Sequence, residues 1–270
     1  MFNSKALNYL KFKNGKSKTT YFSILTSIFL AIIIYLLGVY FSLLLINSSK
    51  YVLMAVMPFT ICLVITIASL VSRLDIKEGF KLNRFSWNIF WKLLMVYVST
   101  YILGNFIVEI IAKIFPDLAQ NYDIVADYLS LDNLPLSVLI VAILPAVFEE
   151  LLFRGVLFNS FNKKWGPVVG AILSALLFGI FHMNWLQGIY AFIFGIVLAY
   201  SYYKSNSLYV PITFHFVNNF IATLMSFYED LNFEISTSLG IFLVISALIL
   251  IIVSIYIIEC TREKLMNKVD

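Results

Sequence analysis

Long uninterrupted apolar runs constrain this chain of 270 residues more than any other feature. A bilayer core about 30 Å thick is crossed by roughly 20 apolar residues of helix. Strands of an outer-membrane barrel would instead alternate apolar and polar residues, and no such alternation occurs. The sequence therefore predicts an all-α, polytopic membrane bundle of about eight transmembrane helices. The eight apolar blocks are 22–47, 52–72, 88–115, 134–159, 168–183, 186–204, 207–228 and 236–258.

Composition excludes the other broad classes of protein. The chain is 61% apolar and 13% charged, against about 45–50% and about 25% in average soluble domains. Such hydrophobicity also excludes disorder, and two cysteines far apart, Cys62 and Cys260, exclude a disulfide scaffold. A net charge of +4 gives no indication of nucleic acid. The expected partner is the lipid bilayer, and no oligomeric state follows from the sequence.

The distribution of charge in the loops predicts the orientation. Basic residues near span ends mark the cytoplasmic side, and here they alternate with acidic loops. We therefore expect a multi-pass protein of the cell membrane with both termini cytoplasmic. The basic residues are Lys5, Lys11, Lys13, Lys16 and Lys18 in the tail, Arg73, Lys77, Lys81 and Arg84 in the second loop, Lys163 and Lys164 in the fourth, Lys204 in the sixth, and Arg262, Lys264 and Lys268 at the C-terminal end. The acidic residues are Asp117, Asp123, Asp127 and Asp132 in the third loop and Glu229, Asp230 and Glu234 in the seventh. Segment 73–87 fits either an amphipathic surface segment or a solvated basic loop.

The fourth span carries three ionisable residues in an apolar helix. Such groups are expensive in a membrane and indicate function. Glu150 and Arg154 are four residues apart and share a face, so they can form an ion pair. Glu149 lies about 100° around the helix and has no partner there. A carboxylate shielded from water binds a proton more readily, which suits a general base. The alternative is that all three form one buried ionic cluster with a structural role.

Both histidines of the chain lie in later spans, each with a companion four residues away. Phe178 precedes His182, and Asn219 follows His215. Each histidine alone fits a satisfied core residue. With Glu149, however, these side chains supply what hydrolysis of an amide needs: a base for water and donors for a developing oxyanion.

These residues form three motifs in order: EExxxR at 149–154, FxxxH at 178–182 and HxxxN at 215–219. The order resembles that of the CAAX-protease and bacteriocin-processing (CPBP, or Abi) family of intramembrane endopeptidases. The resemblance covers residues 134–225. It implies that Glu149 activates water with help from His182, and that His215 and Asn219 stabilise the oxyanion. It also implies that Glu150, Arg154 and Phe178 support the site.

The apolar blocks and the extent of the resemblance together predict the organisation of the chain. Residues 1–133 would form a tail and three transmembrane helices, residues 134–225 the catalytic core, and residues 226–270 a last helix and tail, all within one membrane domain. The expected substrate is a peptide or protein segment at the membrane. A non-enzymatic immunity protein or transporter that uses the same buried polar cluster is the alternative.

The need for a metal is open at this point. Catalytic zinc takes three protein ligands, which Glu149, His182 and His215 could supply. The HExxH motif of zinc proteases is absent, and Asn219 suits an oxyanion better than zinc. We therefore favour no cofactor, with zinc as the alternative.

The depths of these residues, counted from the predicted span ends, disagree. At 1.5 Å per residue, Glu149, His215 and Asn219 lie about 12–18 Å below the cytoplasmic surface, but His182 about 20–25 Å below it. Either the start of the fifth span, near 165–167, projects above the membrane, or the turn at 182–188 is sunk inside it. We predict the sunken turn, lining a polar cavity.

Overall fold

The computed structural model describes residues 22–121, 132–228 and 237–266. Within these residues it contains helices and no strand, and seven helices are long and apolar enough to cross a membrane. The predicted all-α polytopic bundle is confirmed. The helices are α1 (Ile24–Leu44), α2 (Lys50–Val71), α3 (Ile76–Gly79), α4 (Trp87–Ile114), α5 (Leu134–Phe181), α6 (Trp185–Ser205), α7 (Tyr209–Phe227) and α8 (Thr237–Met266).

Helix α5 has 48 residues and folds back on itself at Gly166. Gly166 has φ +83°, a conformation that glycine adopts at little cost, and Pro167 begins the second arm. A Cβ on Gly170 would lie 2.9 Å from the backbone nitrogen of Asn162, so the two arms approach closely. The long arm, 134–165, and the short arm, 167–181, therefore form an antiparallel hairpin. Counted by arms, the described helices match the eight predicted blocks.

The long arm is not a regular α-helix. Two π-helical segments, Val138–Ile143 and Leu151–Phe158, flank the α-helical stretch Leu144–Glu150. Pro145 has no N–H, so it cannot bond the carbonyl four residues earlier. Isolated π-turns are rare and frequent at functional sites. Both glutamates of the first motif lie at the end of the stretch between them.

The short arm and α6 form a second, tightly packed hairpin. A Cβ on Gly179 would lie 2.6 Å from the carbonyl oxygen of Gly188, and one on Gly195 would lie 3.0 Å from Ala175 Cβ. The chain reverses between them through His182 and Met183, and Met183 takes the left-handed φ of +54°. Asn184 then caps α6, because its side chain accepts from the backbone N–H of Gln187. This turn positions His182.

One end of the bundle gathers the basic loops, and we call it the basic end. It contains the second loop, the hairpin tip at Gly166, the loop between α6 and α7, and residue Glu259 of α8, which pairs with Lys204. Asn83 Nδ2 donates to the Asn206 carbonyl oxygen at 3.1 Å, joining two of these loops. Their placement at one end agrees with the predicted alternation of charge. The side of the membrane that this end faces stays a prediction.

The second loop packs into the bundle, which neither of its two predicted forms anticipated. Phe80 is 3% exposed, and its ring lies where a Cβ of Gly155 would be. Asn159 Nδ2 donates to the Gly79 carbonyl oxygen at 3.0 Å. The loop therefore packs against the long arm at the basic end.

The structure also explains the disagreement in depth. Phe153 contacts both Phe178 and Phe181, with ring centroids 4.9 and 5.4 Å apart, so Glu149 and His182 lie at nearly the same level. The long arm runs to residue 165 instead of ending at 159, and its tip extends about 10 Å beyond the level where Asn159 contacts the second loop. The depth of Glu149 counted from residue 159 was therefore too small, and the projecting tip stays a prediction, as does the sunken turn.

The sunken turn stays a prediction that the helix lengths support. The short arm has 15 residues, about 22 Å, less than the thickness of a bilayer core. The long arm continues about 22 Å past the level of this turn, from Glu149 to Leu134.

Some predicted features lie outside the described residues. These are the lysines of the N-terminal tail, Asp123 and Asp127, the acidic seventh loop and Lys268.

Candidate active site

A buried ion-pair cluster joins α5 to α7. Arg154 Nη1 donates to Glu150 Oε1 at 2.6 Å, and both side chains are fully buried. The same oxygen lies 2.9 Å from His215 Nδ1. Arg154 Nη2 also donates to the Gly195 carbonyl oxygen on α6 at 3.0 Å. The Glu150 carboxylate and the Arg154 guanidinium thus link α5, α6 and α7. Their contacts supply the partners that buried charges require.

Glu149 faces the opposite nitrogen of the same imidazole. Its Oε2 lies 3.8 Å from His215 Nε2, and its side chain is 15% exposed while that of His215 is 3% exposed. This separation is too long for a direct hydrogen bond. The two carboxylates therefore lie on either side of one imidazole, and Glu149 is the more accessible.

His182 is oriented by its own helix. Its Nδ1 lies 2.8 Å from the Phe178 carbonyl oxygen. A carbonyl only accepts, so Nδ1 carries the hydrogen and Nε2 of the neutral ring is free to accept a proton. The Phe178 ring contacts His182 and His215 edge-on, with centroids 4.9 and 5.6 Å away, and Arg154 lies over it at 4.7 Å. Phe178 therefore sets the spacing of the two imidazoles.

Asn219 is held by the irregular part of the long arm. Its Nδ2 donates to the Val141 carbonyl oxygen at 3.2 Å. Val141 is four residues before Pro145, so this is the carbonyl that the proline cannot bond. An amide nitrogen carries two hydrogens, and this contact uses one of them.

Two residues that the sequence analysis missed extend this contact. Asn218 Nδ2 donates to Asn219 Oδ1 at 3.2 Å, and Tyr190 Oη donates to Asn218 Oδ1 at 2.5 Å. These two hydrogen bonds, which link Tyr190 to Asn218 and Asn218 to Asn219, fix which side of the Asn219 amide carries the N–H donors. The sequence could have indicated Asn218, because it is adjacent to Asn219. It gave no indication of Tyr190, which lies on another helix, α6.

The structure brings Glu149, Glu150, Arg154, His215 and Phe178 into one contiguous cluster. His182 joins this cluster through Phe178, and Asn219 lies one helical turn from His215. Glu150 Oε2 and Arg154 Nε have no hydrogen-bond partner among the described residues. Within the same residues, no group of three His, Cys, Asp or Glu side chains could hold a metal ion.

Residues 131–221 match the family described as type II CAAX prenyl endopeptidase, Rce1-like. This match to a CAAX protease (CPBP) family covers about a third of the chain. The matched segment contains all seven residues predicted for the site.

Two curated proteins resemble this chain over longer stretches. "Putative membrane peptidase YdiL" of Bacillus subtilis (strain 168) is 23% identical over 203 residues, covering 73% of this chain and 81% of its own length. "Uncharacterized 24.3 kDa protein" of Escherichia coli is 28% identical over 130 residues, covering 45% of this chain and 55% of its own length. No solved structure matches. The first likeness extends well beyond the family segment, so it includes helices outside the site.

Proposed function

We propose that this chain is an intramembrane endopeptidase that hydrolyses a peptide bond of a membrane-associated peptide or protein with water activated by Glu149. The observation that carries the proposal is the position of Glu149. It is a partly exposed carboxylate beside a histidine that a buried ion pair fixes on its other side. The match of residues 131–221 to a family of CAAX prenyl endopeptidases supports the same reaction class.

In the proposed reaction Glu149 transfers the proton, and hydrogen-bond donors stabilise the oxyanion. Glu149 removes a proton from water as the water oxygen bonds the carbonyl carbon, and the carbonyl electron pair moves onto its oxygen. Glu149 then returns the proton to the amide nitrogen as the C–N bond breaks. His182, with Nε2 free, assists by accepting a hydrogen bond from the same water. The products are a carboxylic acid and an amine.

The oxyanion is stabilised by Asn219 and His215. The second hydrogen on Asn219 Nδ2 is the donor, because Val141 takes the first. His215 donates from Nε2 only as an imidazolium, because its Nδ1 hydrogen is directed at Glu150.

Zinc bound by Glu149, His182 and His215 has less support. The described residues contain no three-ligand group that could hold a metal ion. A non-enzymatic immunity protein or transporter remains the competing class, and the experiment below separates it from the enzyme. We also propose that the chain lies in the cell membrane with both termini cytoplasmic.

The test compares cells that express the wild-type chain with cells that express Glu149→Gln or His182→Ala. Peptide termini in their membrane fractions are mapped by mass spectrometry. We expect uncut precursors to accumulate in both variants, with the protein still folded and inserted. Glu109→Gln, a change at an exposed surface ion pair, is the matched control and should behave as wild type. Identical termini in all four strains would contradict the proposal and favour a binding role.

A further inference from the structure

A cavity of about 500 Å³ lies at the basic end, between the start of α4, the end of α6 and the end of α8. None of its lining residues belongs to the candidate active site. Three lysines line it, together with the polar residues Ser86, Asn88 and Asn206.

The three lysines are Lys81, Lys92 and Lys204. Lys81 and Lys92 are half-buried, and the Lys204 side chain is 9% exposed. Lys204 pairs with Glu259. Lys81 lies 4.8 Å from the centre of the Tyr202 ring and forms no ion pair with any described residue. Burial alone lowers the pKa of Lys81. Lys81 therefore brings to the cavity wall an amine that no acidic side chain of the described residues pairs.

The backbone around Lys81 is held in place. Its φ of +50° is in the left-handed region, which is unfavourable for a lysine. Its carbonyl oxygen accepts from the Leu208 N–H at 3.1 Å, and Ser207 Oγ donates to the Asn83 carbonyl oxygen at 2.6 Å. The loop therefore holds the Lys81 side chain at the cavity wall.

Helix α4 adds a second source of positive potential. The helix has 28 residues, and its N-cap residue, Ser86, makes no side-chain capping bond. The first N–H groups of a helix lack intrahelical partners and attract anions. Ser86, Asn88 and Ile89 line the cavity, so this helix end opens into it.

Neighbouring tryptophans indicate the level of the cavity in a membrane. Trp87 and Trp91, on the first turns of α4, are 63% and 59% exposed. Exposed tryptophans concentrate at the membrane–water interface, which is also where lipid phosphates lie. Basic pockets between helices at this level suit anionic head groups.

We propose that this cavity is a binding site for a phosphate group, held by Lys81, Lys92 and the N-terminus of α4. An anionic lipid head group and free inorganic phosphate share this chemistry, and the level of the tryptophans favours the lipid. The proposal does not depend on the protease activity.

Thermal unfolding of the purified full-length chain in a neutral detergent tests the site. The additives are dihexanoylphosphatidylglycerol, dihexanoylphosphatidylcholine and inorganic phosphate. We expect a rise in Tm with the glycerol lipid and none with the choline lipid, because a ligand that binds only the folded state stabilises it. A rise with inorganic phosphate alone identifies the free anion as the ligand. No rise in Tm with dihexanoylphosphatidylglycerol and none with inorganic phosphate would overturn the proposal.

Variants assign the effect to the cavity. Lys81→Gln and Lys92→Gln should each weaken binding about tenfold, as expected for loss of one charged hydrogen bond, whereas Lys81→Arg should keep most of it. Lys77→Gln removes an exposed lysine of the same loop and should bind as wild type. Lys92→Gln and Lys81→Arg keep the test valid if Lys81→Gln fails to fold. Equal binding by Lys92→Gln and wild type would contradict the assignment.

Discussion

Glu150 serves two partners with one oxygen, because its Oε1 contacts both Arg154 and His215. A fully buried carboxylate is stable only while such partners remain, and removing one member of a buried pair leaves the other uncompensated. Arg154 is therefore as important to the position of His215 as the direct contact between His215 and Glu150.

Replacing Arg154 tests this dependence. Arg154→Met should lower the free energy of unfolding by about 3–5 kcal/mol, because the Glu150 charge is left buried alone. Arg154→Lys keeps the charge but cannot reach both Glu150 and the Gly195 carbonyl, so its loss should be smaller. Unfolding of both variants in detergent measures the difference. A stability of Arg154→Met equal to wild type would contradict this account.

Metal dependence is also decided by individual side chains. We expect proteolysis to survive exhaustive chelation, with no zinc found by elemental analysis of the active protein. The reason is that Glu149 can activate water without a metal, and no three-ligand group occurs in the described residues. Activity lost on chelation and restored by zinc would instead assign Glu149, His182 and His215 as ligands.

At the scale of elements, close helix contacts align the site. The short arm and α6 approach so closely at Gly179 and Gly188 that even one methyl group lacks room. His182 follows Gly179 by three residues, so the packing of this hairpin determines where the histidine lies.

Gly179→Ala should therefore separate the two helices. We expect a loss of about 1–3 kcal/mol in stability, typical of overpacking, with a larger loss of activity because His182 moves. Ile180→Ala, on the exposed face of the same arm, is the control and should change neither property much. Unfolding in detergent and peptide cleavage measure the two effects; unchanged cleavage by Gly179→Ala would show that the spacing is not critical.

The apolar blocks and the Glu150–Arg154 spacing were readable from the sequence, because length and helical period act locally. The end of the long arm was not. Polar residues at 159–164 suggested a loop, but Asn159 bonds Tyr202 at 2.8 Å and Ser160 bonds Ser27, so the helix continues. The partners of His215 and Asn219 lie 65 and 78 residues away in the chain, and no local pattern indicates such contacts. The π-segments were missed because they hardly alter the apolar pattern.

At the scale of the whole molecule, the basic end brings together the second loop, the hairpin tip, the loop between α6 and α7, and Glu259 of α8. Its position predicts which surface of the membrane the hairpin tip reaches. Basic residues at span ends favour the cytoplasmic side, so the tip should lie there.

Cysteine labelling tests this orientation. In a background of Cys62→Ser and Cys260→Ser, Lys163→Cys at the tip should react with a membrane-impermeant maleimide only in inverted vesicles. Asp132→Cys, at the start of the long arm, should react only in right-side-out vesicles. The reverse pattern would invert the topology, and labelling of Lys163→Cys from both sides would indicate mixed insertion.

The fold of α5 also limits how this protein can vary in length. Glu149 and His182 lie 17 and 16 residues from Gly166, on opposite limbs of one hairpin. A single insertion in one arm would shift Glu149 or His182 by 1.5 Å and rotate it by 100° relative to the other. Balanced insertions near the tip would leave both in register, so length changes there should occur in pairs.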